Sequence, residues 1–118
     1  MDHPKQTAAV RALFASGEIW IAKTVLLETD WVLGSFYGFG ANAIHNALTA
    51  LLGLGNVHVE DEASVINALA LTEQGLEFAD AMHLVSRPVG TTFVSFDQAF
   101  VRRAGRAGVP AVSIVPSA

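Results

Sequence analysis

Cysteine is absent from the 118 residues, so disulfides and thiolate metal sites are excluded. Charge is sparse as well. Charged residues make up 15% of the chain against 52% hydrophobic, a balance that supplies a core and argues against disorder. Lysine occurs only at Lys5 and Lys23. No apolar run reaches the length of a membrane span, because Gly, Asp or Glu interrupts each one. The opening Met1-Asp2-His3-Pro4-Lys5 lacks the charged-then-apolar layout of a secretory signal, so the cytoplasm is the expected compartment. Repeats, low-complexity tracts and linkers are also missing, and the length fits one domain over 1–118.

The net charge of −4 is unlike that of a protein that coats nucleic acid uniformly. Its distribution says more. Arg87, Arg102, Arg103 and Arg106 are four of the seven cations and lie in the last third, while acids dominate the middle, including Glu60-Asp61-Glu62.

Hydrophobic spacing predicts helices over 5–16, 25–36, 42 or 43 to 52, 63–72, 77–86 and 98–107. Short β-branched runs predict strands over 18–22, 57–60, 92–95 and 111–115. Thr24 and Asp97 read as N-caps, and Gly17, Gly53, Gly75 and Pro88 as stops. Strands that alternate with helices imply an α/β fold, with a parallel sheet of about four strands and helices on both faces.

Three carboxylates stand out. Asp80 lies in the apolar stretch Glu77-Phe78-Ala79-Asp80-Ala81-Met82-His83, where an unpaired charge is costly. Glu28 and Asp97 each follow a predicted strand, and ligands of open α/β sheets bind beyond the carboxyl ends of strands. Convergence of the three would suit Mg²⁺ or Mn²⁺, ions that prefer a few carboxylates and keep several waters. Such an ion activates water and neutralises a phosphoryl group, which points to phosphodiester hydrolysis. Plainer readings exist for each acid. Asp97 caps a helix, Asp80 favours a helix dipole, and Glu28 faces solvent. Glu28 and Asp30 lie about 200° apart on a helix, so at most one of them turns inward.

The histidines match no zinc spacing; His83 is expected to pack, and His3 is terminal. Arg102, Arg103 and Arg106 share a helix and read as a solvated face, or as a track for an RNA backbone. Phe36, Tyr37 and Phe39 are candidates either for a hydrophobic contact surface or for ordinary core. Phosphotransfer chemistry on a receiver-like fold would need a lysine after a late strand, which the chain lacks.

Taken in order, four segments resemble the PIN-domain nucleases, in particular the VapC-like toxins of bacterial toxin–antitoxin pairs. They are Val25-Leu26-Leu27-Glu28 with Trp31-Val32-Leu33, Val59-Glu60-Asp61 with Ala68-Leu69, Phe78-Ala79-Asp80-Ala81-Met82-His83, and Val94-Ser95-Phe96-Asp97. The resemblance spans nearly the whole chain. It implies a three-layer PIN-like domain and a Mg²⁺- or Mn²⁺-dependent endoribonuclease toxin acting on RNA. It implies metal-ligating and catalytic roles for Glu28, Asp80 and Asp97, with Glu77 and Ser95 beside them. It also implies a homodimer and a cognate antitoxin laid over the cleft.

One departure matters. The family opens on a central strand that ends in an Asp-Thr-Asn motif, and nothing in this sequence matches it. The chain is therefore expected to start about one βα unit late, with a truncated or misassigned start as the first explanation. Two functions follow: a toxin nuclease weakened or silenced in this form, or a non-catalytic interaction module of the same fold. The missing strand also leaves edges at Ile19 and Phe93 open to pairing with another chain.

Overall fold

The computed structural model of the protein describes residues 12, 14, 15 and 17–116. The helix expected over 5–16 lies for the most part outside them. In chain order the elements are β1 (Ile19–Ile21), α1 (Lys23–Ser35), α2 (Ala41–Leu52), β2 (Val57–Val59), α3 (Glu62–Thr72), α4 (Phe78–Val85), β3 (Phe93–Ser95), α5 (Gln98–Arg106) and β4 (Val112–Ile114). No helix among the described residues is long and apolar enough to cross a membrane.

Each helix buries the face its spacing dictates. In α2 these are Ile44 and Leu48, one turn apart. In α3 they are Val65, Ala68 and Leu69, and in α4 Phe78, Ala81, Met82 and Leu84. Ala68 and Ala81 have no exposed surface. Such small side chains suit close packing of α3 on α4, which share the most extensive contact between elements of the described residues. Gly75, at φ 97°, makes the reversal between them in a conformation that side chains resist. The core continues through Leu26 of α1, Val57 and Val59 of β2, and Phe100 and Ala104 of α5.

α1 starts at Lys23, with Ala22 and not Thr24 in the N-cap position. The first amide of the helix is answered from a distant segment. The Glu60 carboxylate accepts from the Lys23 N–H at 3.0 Å. At the entry to β4, Ala111 adopts a left-handed conformation, at φ 58°. Arg87 clamps that turn by donating to the Ala111 carbonyl at 2.7 Å and to the Pro110 carbonyl at 2.6 Å.

The strands pair in parallel, as alternation with helices requires, but they do not form one sheet. β1 pairs with β2 in the register Ile19 to Val57 and Ile21 to Val59. β3 pairs with β4 in the register Phe93 to Val112 and Ser95 to Ile114. The expected four-strand sheet is thus two separate pairs. The reason lies in the main chain. Ile19 and Ile21 direct their amide and carbonyl groups to β2, and Phe93 and Ser95 direct theirs to β4. Trp20 and Val94 then present theirs on the opposite edge, and no strand among the described residues lies there to take them. Their side chains are exposed too, at 65% and 59%. Parallel strands are ordinarily covered on both faces, so these two short pairs are incompletely housed.

Candidate functional site

Asp80 is the third residue of α4, where a negative charge favours the helix dipole. Its neighbours Ala81 and Met82 are buried, and its own side chain is 26% exposed. The cation that such a site requires comes from α5. Arg103 Nη2 donates to Asp80 Oδ2 at 3.2 Å. Nε, on the same edge of the guanidinium, is buried and has no acceptor among the described residues. The pair therefore uses one prong of a fork that binds carboxylates bidentately.

Asp97 heads the same helix. Its Oδ1 accepts from the Phe100 N–H at 3.1 Å, and its own N–H donates to Ser95 Oγ at 3.0 Å. The capping role read from the sequence is present, and Ser95 serves that turn. Asp97→Ala is expected to cost about 1 kcal/mol, the usual worth of an N-cap, measurable as a lower urea midpoint.

Glu28 lies on α1 and is exposed. The acid of that helix that turns inward is Asp30, one turn beyond buried Leu26. Burial first, and the charge of Glu77 second, push the Asp30 carboxyl above its usual range. Glu77 is exposed at the N-cap position of α4 and makes no capping bond. Arg102 and Arg106 face solvent, while Arg103 turns in to Asp80.

Other expectations divide. His83 is exposed and does not pack, because Phe78, Ala81, Met82 and Leu84 already fill the inner face of α4. His58 is exposed on β2, 3.3 Å from Glu18. Phe36, Tyr37 and Phe39 are exposed and not core, with Phe36 edge-on to the exposed Trp31 at 5.5 Å between ring centroids.

A clasp that sequence reasoning missed joins the start of α1, the head of α3 and the end of α4. Lys23 Nζ lies 3.2 Å from Asp61 Oδ2 and 3.3 Å from Ser86 Oγ. Its members come from three distant segments, so nothing local announces it.

A hard divalent ion needs several oxygen ligands converging on one point. No group of three or more His, Asp or Glu side chains among the described residues is placed to share an ion. Asp80 is engaged by Arg103, and Asp97 by a helix end. As arranged, the described residues do not fit a Mg²⁺ or Mn²⁺ centre. Family models, curated proteins and solved structures give no significant match to the chain.

Proposed function

We propose that this chain is a PIN-like domain, built on the plan of the metal-dependent endoribonuclease toxins, whose nuclease chemistry is latent in the fold it adopts alone. The ordered motifs around Glu28, Asp80 and Asp97 support the kinship. The observation that carries the latency is the Asp80–Arg103 pair, which neutralises the central carboxylate of the motif set with a guanidinium. With a further strand supplied, Glu28, Asp80 and Asp97 are the acids that would ligate Mg²⁺ or Mn²⁺. A further parallel strand would join the two pairs into the PIN-like sheet. RNA is the substrate class, with Arg102 and Arg106 free to meet its phosphates. A cognate antitoxin, a homodimer and a cytoplasmic location belong to the same reading.

A second reading, a non-catalytic interaction module, is favoured by the exposed aromatic cluster of Trp31, Phe36, Tyr37 and Phe39. One experiment separates the two. The chain is incubated with single-stranded and structured RNA in Mg²⁺ and in Mn²⁺, beside Asp80→Asn. A second protein is extended at the amino end by a strand–helix unit whose strand ends in Asp-Thr-Asn. The chain alone is expected to cut no faster than Asp80→Asn. The extended protein is expected to cut, and to lose that activity with Asp80→Asn or Asp97→Asn. Asp80-dependent cleavage by the chain alone would overturn the latency. A folded extended protein that leaves RNA intact would reject the nuclease and leave the module.

A further inference from the structure

We propose that the cavity between α1, α2, α3 and the head of α4 binds a small amphipathic cation, an ammonium or guanidinium group on an apolar body, with its head between Asp30 and Glu77. The site is separate from the Asp80–Arg103 pair and does not rest on the nuclease reading.

The cavity measures about 340 Å³. That volume lies within the range of small-molecule sites. Its inner wall is Ile44, Leu48, Leu76 and Phe78, all buried. Asp30 and Glu77 line it as well, so two carboxylates face the same hollow. Among the described residues neither carboxylate has an ion-pair partner or a hydrogen bond, so a cationic group in the hollow would meet both. Among the described residues the three partly buried cations are all engaged elsewhere. Lys23 holds Asp61, Arg103 holds Asp80, and Arg87 holds the Pro110 and Ala111 carbonyls.

His45 lines the cavity as well but does not serve these acids. The Thr72 hydroxyl gives its proton to the Leu69 carbonyl at 2.6 Å, so His45 Nδ1, 2.9 Å from that hydroxyl, must donate to it. The other ring nitrogen faces Glu73 at 3.4 Å. The carboxylate pair is therefore left for a ligand. A hard divalent ion suits the cavity poorly, since it wants oxygen ligands on most sides and the inner wall offers only hydrocarbon. A single positive head with an apolar tail matches both ends of the cavity at once.

Calorimetric titration of the full chain with 2-phenylethylammonium, and with its uncharged counterpart 2-phenylethanol, tests the assignment. The ammonium is expected to bind one-to-one, with the alcohol about tenfold weaker or more, the ratio that a hydrogen bond to a charged group is worth. Asp30→Asn and Glu77→Gln are each expected to weaken the ammonium by about tenfold and to leave the alcohol unchanged. Both variants remove a like-charge contact, so they retain the fold, and circular dichroism checks that they do. Equal affinity for the two probes, variants that bind the ammonium as tightly as the natural chain, or no binding of the ammonium would each overturn the proposal.

Discussion

Leu84→Ala is expected to lose about 3–4 kcal/mol of stability, the upper part of the range for a leucine truncated in a well-packed core. Leu84 is 2% exposed and belongs to α4, the helix that touches α1, packs along α3 and reaches α5 through Asp80. Neighbours held from several directions cannot collapse into the vacated volume, so the cavity term persists along with the lost transfer free energy. Domains of this size have about 5–15 kcal/mol in all, so the loss is a large part of the total. Urea unfolding reads it as a drop in midpoint at constant slope. A loss below about 1 kcal/mol would mean that the surroundings close over the gap, against the rigid placement of α4.

The second large effect is expected at the partnership between α4 and α5. Arg103→Ala leaves the Asp80 carboxylate without its cation in a setting of buried apolar neighbours. Fully buried pairs cost about 3–5 kcal/mol when one partner is removed. The Arg103 and Asp80 side chains keep 35% and 26% of their surface, so solvent screens part of that cost. The expected loss is about 1–2 kcal/mol after this discount. The double variant Asp80→Asn with Arg103→Ala is expected to recover about half of it, because the stranded charge is gone. Chemical denaturation of the two single variants and the double variant gives the coupling. Additive losses would show that the two side chains do not act on each other.

Much of the secondary structure was legible because its causes are local. Asp97 caps α5 through an amide three residues away, and the sequence Asp97-Gln98-Ala99-Phe100 carries that signal in one turn. β1 and β3 announce themselves through short β-branched or aromatic runs, and α3 through Val65, Ala68 and Leu69 on one face. The solvent position of His83 runs against the packing expected of it, because the inner face of α4 is already filled by Phe78, Ala81, Met82 and Leu84. What stayed hidden depends on residues far apart in sequence. Asp80 and Arg103 are separated by 23 positions, and Lys23 and Ser86 by 63. Neither partnership leaves a local trace. Strand order has the same difficulty. Local pattern says that Trp20 and Val94 are extended, and nothing in it says whether a neighbour stands on their free edge. Among the acids, helical spacing from Leu26 marks Asp30 as the inward one, a weak cue beside the motif that draws the eye to Glu28.

The division of the strands into two pairs has a mechanical outcome. Among the described residues no ladder crosses from the amino-terminal pair to the carboxy-terminal pair, so these halves can separate without losing any interstrand bond described. Cohesion between them passes through side chains on α4 and just beyond it: Leu84 and Met82 inside, Asp80 at the rim, and Arg87 on the Pro110 and Ala111 carbonyls. In most α/β domains the sheet is the spine and the helices are cladding. Here one short helix of eight residues is the keystone, and all-or-none unfolding depends on its hold over both halves.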